Sequence, residues 1–180
     1  FQQFLRRAQL VVRRRLAVNA HRLRLIDRAA LVDRLRQLAH EQAERDHADL
    51  HQDPRIQCHV VDIAGGRLDP AAAIAFVSDD AHGGIDVFIG RVRASSHGRQ
   101  CVAIHYDMFD PLALTIFRST AAAAVERFGP NAKCYVAHAR GKLAVGDLAV
   151  VIAFGTPHRD EAFRGCREVI EAVKHQAPIW

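Results

Sequence analysis

Lys133-Cys134-Tyr135-Val136-Ala137-His138-Ala139, then Arg140-Gly141-Lys142-Leu143-Ala144-Val145-Gly146-Asp147, then Leu148-Ala149-Val150-Val151-Ile152-Ala153-Phe154 is the stretch that decides the fold. Its two flanks are apolar runs of strand length, and Gly141 and the Gly146-Asp147 turn lie between them. They predict strands over Lys133–Ala139 and Leu148–Phe154, joined by so short a connection that they pair antiparallel. On either side stands a helix signal. Asp110-Pro111 opens a helix that runs to Gly129-Pro130, and Thr156-Pro157 caps a last helix that Pro178 ends.

Further upstream, Ile85–Arg93 reads as a strand with Val102–Phe109 as its partner, across the polar loop Ser95-Ser96-His97-Gly98-Arg99. Asp69-Pro70 begins a short helix, and Ile56–Ile63 is a strand ended by Gly65-Gly66. Neighbouring strands joined by short turns, interleaved with helices, make the fold class α+β with a mixed, largely antiparallel sheet.

Residues 1–53 are of another kind. The first 50 hold no Gly or Pro and eleven Arg against six acidic residues, whereas the rest of the chain holds fourteen of each sign. Leu16, Leu23, Ile26, Ala30, Leu31, Leu35 and Leu38 recur at helical spacing, so this segment reads as a basic amphipathic helical extension to a domain over 54–180. The boundary falls at His51-Gln52-Asp53-Pro54, and a chain that opens on Phe1 is expected to have residues before it. Arg13-Arg14-Arg15 interrupts the early apolar stretch too soon for an export signal, and no apolar run has the length of a membrane span. The Arg residues lack interleaved aromatics, which argues against single-strand binding; a packed or partner-binding helix is the expectation, with nucleic-acid binding as the alternative. Cys58, Cys101, Cys134 and Cys166 are dispersed, as reduced thiols of a cytoplasmic protein are, and no His pair has a recognisable metal-ligand spacing.

Three clusters carry chemistry. In Thr156-Pro157-His158-Arg159-Asp160-Glu161 a helix start with unpaired N–H groups stands beside an Arg fork, which suits an anion; it equally suits a solvated start whose carboxylates answer the dipole. Lys174 lies at the edge of a stripe formed by Phe163, Cys166, Ile170 and Val173. There it is either desolvated enough for nucleophilic or base chemistry, or a surface lysine near Glu171. In Phe88-Ile89-Gly90-Arg91-Val92-Arg93, alternation sets both arginines on the face of Val87 and Ile89, which fits a binding edge or a strand running out into a loop.

Taken in order, Gly84-x-x-x-Phe88-x-Gly90-x-Val92-Arg93, Gly141-x-Leu143-x-x-Gly146-Asp147, His158-Arg159-x-x-Ala162-Phe163 and Lys174-x-x-x-Pro178-Ile179-Trp180 resemble the molybdopterin synthase large (catalytic) subunit family, MoaE-type, over about 125 residues from Ile56 onward. The resemblance implies an α/β-hammerhead-like domain and a central homodimer. Each subunit would bind a small ubiquitin-like sulfur carrier through its C-terminal Gly-Gly thiocarboxylate. Two sulfurs would pass to cyclic pyranopterin monophosphate, giving the dithiolene of molybdopterin with no metal or organic cofactor. By position Lys174 matches a lysine the family needs for catalysis, and Arg93, His158 and Arg159 match its anion-binding residues, with Arg140 a further candidate. The chain departs from the pattern in three places. A family His-Arg before the glycine reads His138-Ala139-Arg140, Asp107 and Phe109 stand where Glu and Tyr are common, and the sequence stops at Trp180, ahead of a second family lysine.

Overall fold

A computed structural model describes residues 53–96 and 98–179. The extension expected over residues 1–53 therefore lies outside the described residues, but for Asp53. The elements in order are β1 (Ile56–Asp62), α1 (Pro70–Val77), β2 (Gly84–Arg91), β3 (Ser95–Ser96), β4 (Arg99–Gln100), β5 (Ala103–Tyr106), α2 (Asp110–Phe128), β6 (Lys133–Ala144), β7 (Leu148–Thr156) and α3 (Arg159–Gln176).

The main sheet runs β1-β6-β7-β2, with β5 attached to β6. β6 is twelve residues long, enough to serve neighbours in succession. Its first part lies parallel to β1, from Ile56 beside Cys134 to Asp62 beside Arg140. Its last part lies antiparallel to β5, with Tyr106 beside Gly141 and Ala103 beside Ala144. β7 returns antiparallel to β6, and β2 lies antiparallel to β7. The sheet is thus mixed and largely antiparallel, as the order of elements implied.

One expected pairing is corrected. Val102–Phe109 does not partner the strand at Ile85–Arg93; β2 pairs with β7 and β5 with β6. Length explains the choice. The eight residues of β2 find backbone partners along the nine of β7, which the four residues of β5 could not supply. Between them the loop closes on itself as the small ladder β3–β4, with Ser95 opposite Gln100.

Alternation along the central strands sorts the core into two layers. Cys134 and Val136 of β6, with Val150, Ile152 and Phe154 of β7, meet Phe117, Ala121 and Val125 of α2 and Cys166, Val169 and Val173 of α3. The intervening Tyr135, Ala137, Ala139, Ala149, Val151 and Ala153 meet Ala73 and Val77 of α1 on the other side. Two-sided burial is why β6 and β7 read as continuous apolar runs.

The helix boundaries follow the cap chemistry, with two shifts. Asp69 caps α1, its carboxylate accepting from the Ala71 N–H at 2.8 Å, with Pro70 in the first turn. α2 is capped one residue earlier than expected, by Phe109, so that Asp110 lies inside its first turn, and it ends at Gly129 in the left-handed region at φ 108°. Thr156 does not cap α3. It is the fully buried last residue of β7, and its hydroxyl donates to the carbonyl of His158 at 2.9 Å, leaving His158 at the cap position. Phe163, expected in the buried stripe of α3, is 56% exposed; the helix turns Ala162, Gly165, Cys166, Val169 and Val173 to the sheet instead. All four cysteines are free thiols, Cys134 and Cys166 buried and the other two partly so. No helix among the described residues is long and apolar enough to cross a membrane.

Gly165 allows that orientation of α3. A Cβ added there would press into the ring of the fully buried Phe154. In an open helix Gly→Ala gains up to about 1 kcal/mol, while forcing a methyl into a packed core costs about 1–3 kcal/mol. Gly165→Ala is therefore expected to lower stability by about 1 kcal/mol or more. Urea unfolding checks this, and a midpoint equal to or above that of the parent protein would contradict the packing described.

Candidate functional site

β2 positions chemistry at both its ends, and glycines allow it. At the first end a Cβ on Gly84 would stand 2.6 Å from the Arg159 Cα, and the Gly83 N–H donates to the Pro157 carbonyl at 3.2 Å. The strand can thus lie directly against the β7–α3 junction. His158 and Arg159 are exposed there and line an open concavity of about 370 Å³ with Gly83, Pro157 and Asp160. Asp160 itself pairs with Arg164 one turn on, at 3.2 Å.

At the other end, a Cβ on Gly90 would meet Val150 Cγ1 at 2.5 Å. The pairing register shifts between Gly90 and Arg91, where the strand ends. This bulge re-aims the following residues. Val92 is buried, Arg93 is exposed beyond the strand, and Arg91 donates from Nε to the Gly146 carbonyl at 2.8 Å. Arg91 and Arg93 therefore do not work as the same-face pair that simple alternation suggested.

Arg91 lines a cavity of about 440 Å³ between the end of β2 and the last turns of α3. Phe88, Tyr106, Val150, Ile170, Val173 and Ile179 give it apolar walls, and Arg91, His138, Glu171 and Lys174 its polar ones. Ile179 is held there by a bridge to Met108, which gives the Pro178-Ile179 ending a structural reason. Lys174 and His175 sit in the last turn of α3, where cations complement the helix dipole. Lys174 is exposed rather than desolvated, and Glu171 turns to His175 at 3.4 Å.

His138 is the buried polar group of this cavity, only 7% exposed. It follows Cys134 and Val136 in alternation on β6, which aims it at the α3 side of the sheet. Nδ1 lies 2.8 Å from the Ala139 carbonyl, and Tyr106 packs edge-on against the ring at 5.1 Å. Burial holds its pKa below the ordinary histidine value, outweighing the opposing effect of the Ala139 carbonyl.

Arg140, two residues on, is committed elsewhere. Its guanidinium reaches Asp62 at 2.7 Å and Asp110 at 2.8 Å, tying the end of β1 and the start of α2 to β6. With both terminal nitrogens of Arg140 already on carboxylates, an anion there would meet two negative charges beside its remaining donors. Three thiols are poor nucleophiles as folded: burial pushes Cys58 and Cys166 up to about 12 and raises Cys134 as well.

Of the residues singled out from sequence, Lys174 lies on the cavity. His158 and Arg159 share a separate concavity, Arg93 lies on neither, and Arg140 is paired with carboxylates. Tyr106, His138 and Glu171 were not expected at a site, and Arg91 was expected only as half of an arginine pair that fits a binding edge or a strand running out into a loop. The bulge that Gly90 permits was the signal for Arg91, and the parity shared with Cys134 and Val136 was the signal for His138.

Comparison with known proteins gives a consistent result. The MoaE protein family matches residues 63–176. A molybdopterin synthase catalytic subunit of Synechococcus elongatus is 39% identical over 122 residues, spanning 68% of this chain and 74% of that protein. Among solved structures, molybdopterin synthase from Staphylococcus aureus superposes with a TM-score of 0.63 at 27% identity, covering 67% of this chain and 85% of that one. The Helicobacter pylori complex of subunits 1 and 2 of molybdopterin-converting factor shares the fold, with a TM-score of 0.54 at 22% identity over 70% of this chain and 82% of that one.

The buried imidazole makes stability depend on acidity. Its folded pKa is depressed, so below about pH 6.5 the unfolded chain binds a proton that the fold resists. Stability is then lost as pH falls from about 6.5 toward the folded value, by up to about 1.4 kcal/mol per pH unit for one such group. His59, lowered first by burial and then by Arg118, adds to the same trend. In His138→Gln the difference in urea midpoint between pH 7.5 and pH 5.5 is expected to shrink to the part due to His59. An unchanged difference would mean that His138 is not buried neutral.

Proposed function

Because the chain belongs to the MoaE protein family, we propose that it is the catalytic subunit of a molybdopterin synthase acting in the cytoplasm. It takes sulfur from the thiocarboxylated C-terminus of a small ubiquitin-like carrier and passes it to cyclic pyranopterin monophosphate. Two such transfers make the dithiolene of molybdopterin. The subunit works as a homodimer with one carrier on each protomer, and sulfur that arrives on a carrier needs no thiolate of this chain's own.

The observation that carries the reading is the cavity at the end of α3, where Lys174 and Arg91 stand among apolar walls. A thiocarboxylate is an anion on a flexible tail. Two glycines without side chains suit entry into a space of about 440 Å³, and the Lys174 ammonium suits the charge at its tip, with Arg91 at the wall and its Nε held by the Gly146 carbonyl. Lys174 is the catalytic residue in this reading. Its exposure leaves desolvation to the arriving tail, which would cover it.

The phosphate of the pterin is met by Arg93 of one protomer and by His158 and Arg159 of a second, since within one chain they stand beyond opposite ends of β2. The separation of their concavity from the Lys174 cavity within one protomer favours an assembly in which a second protomer contributes to the site. β2 pairs on one side alone among the described residues, and its Ile85, Phe88 and Ile89 remain about 40% exposed, an apolar edge suited to a partner.

The test is turnover by the full-length protein with a thiocarboxylated carrier and cyclic pyranopterin monophosphate, read as molybdopterin formed. Lys174→Ala is expected to lower the rate at least 100-fold, the usual scale for a positioned acid–base or nucleophilic group, with carrier binding retained. Wild-type protein that binds the carrier stably and yields no product would identify a non-catalytic relative instead.

A further inference from the structure

Sulfur transfer of this kind leaves a second chemical task. When the carrier's sulfur bonds to the acceptor carbon, the same sulfur still carries the acyl group of the carrier. Releasing the carrier as a carboxylate while sulfur stays behind requires an oxygen atom from water. Water is a weak nucleophile toward a thioester at neutral pH, and a positioned base that takes its proton accelerates such attack.

We propose that His138 is that base. Resting on the sulfur-transfer reading above, the assignment adds a second catalytic residue to the Lys174 cavity, with a role distinct from that of the lysine. A carbonyl oxygen can only accept, so the 2.8 Å contact with Ala139 places the ring proton on Nδ1. Nε2 then carries the lone pair. It has no hydrogen-bond partner among the described residues, and it is not one of the sealed, unpartnered atoms, of which Asp110 Oδ1 is the single described case. Its open side is the cavity. Tyr106, edge-on to the ring at 85°, fixes the plane in which that lone pair points. Burial keeps the imidazole in its neutral, proton-accepting form at pH 7.

The step balances without an oxidant or reductant. Nε2 takes a proton from water as its oxygen adds to the acyl carbon, and the carbon–sulfur bond then breaks with its electron pair leaving on sulfur. The imidazolium returns the proton to that sulfur. The carrier departs as a carboxylic acid that ionises to solvent, and His138 is neutral again for the second transfer.

The titratable and charged groups that line the cavity with His138 are Tyr106 from β5, in ring contact with it, Arg91 from β2, held at the Gly146 carbonyl, and Glu171 and Lys174 from α3, with Glu171 turned to His175. β1 and β7 present Val60 and Val150 beside it. In a single-turnover experiment with thiocarboxylated carrier and cyclic pyranopterin monophosphate, His138→Gln is expected to form the first carbon–sulfur bond and then stall. The carrier–pterin thioester, seen by intact-mass spectrometry, should accumulate while carrier release slows about 100-fold or more. Wild-type release should rise as the imidazole loses its proton below about pH 6.5 and level off above it, and the variant should lose that inflection. Lys174→Ala, in contrast, should form no thioester.

Release from His138→Gln at the wild-type rate and with the wild-type pH profile would overturn the assignment while leaving the sulfur-transfer reading intact. Wild-type protein that makes no product would remove both. Long-range proton–nitrogen correlation spectra of the resting protein give a check independent of turnover. A protonated Nδ1 and bare Nε2 are expected for His138 at pH 7, and a proton on Nε2 would overturn the role.

Discussion

The arrangement of this protein depends on the burial of one hairpin from both sides. β6 and β7 run through the centre of the sheet, and their alternate side chains supply the inner surface of two different helical layers. Each helix is placed by which of those two faces it covers, and β1, β2 and β5 by the edges they pair with. α2 and α3 share the side of Cys134, Val136, Ile152 and Phe154, and α1 takes the side of Tyr135, Ala137 and Val151. A strand buried on both faces has no tolerance for a register slip, because a shift of one residue would exchange the two layers. The polar residues on β6 are therefore fixed in direction as firmly as the apolar ones. His138 and Arg140 follow Cys134 and Val136 in the same alternation, where the core thins toward the end of the strand.

That geometry explains how one strand carries two unlike polar devices. Arg140 spends its guanidinium on Asp62 and Asp110, joining β1 and α2 to β6 in one fork. A planar five-donor group suits this, since two carboxylates can be met at once. His138, one step deeper, meets Tyr106 and a backbone carbonyl and keeps one ring nitrogen toward the cavity. Exchanging the two side chains would bury a charge and expose a ring. The first holds three elements in place, and the second faces the space those elements enclose.

Much of this was legible in the residues. The central hairpin, the two long helices and the class of the sheet followed from apolar runs, Asp-Pro and Gly-Pro signals and short turns, all local features of the chain. Pairing between distant strands was not local. Nothing in Val102–Phe109 says that β6 would extend to Ala144 and take β5 on its last part. Thr156 illustrates another limit. Ahead of Pro157 it looks like a helix cap, yet its burial at the end of β7 turns its hydroxyl to the His158 carbonyl instead. Phe163 was misplaced because apolar spacing does not reveal which side of a helix a neighbouring ring will occupy; Phe154 demands the small Gly165 opposite it, and α3 turns accordingly.

The site shows the same division between what a motif marks and what packing decides. The glycines of the Gly84-to-Arg93 stretch are legible as glycines, but their purpose appears only in three dimensions. Gly84 lets β2 meet the start of α3, and Gly90 lets it pass Val150 and break register. That break moves Arg91 to the cavity and leaves Arg93 outside it. A motif read as a row of residues therefore names the right neighbourhood but not which of its arginines lines this cavity. The same row leaves His158 and Arg159 at the far end of β2, where the strand abuts the helix start. β2 thus carries a cation at one end and abuts the exposed His-Arg pair of the β7–α3 junction at the other, with the apolar Ile85, Phe88 and Ile89 between them. If a second protomer covers that stretch, its own His-Arg pair becomes the natural complement to the Lys174 cavity, and the edge strand is what would set the distance between them.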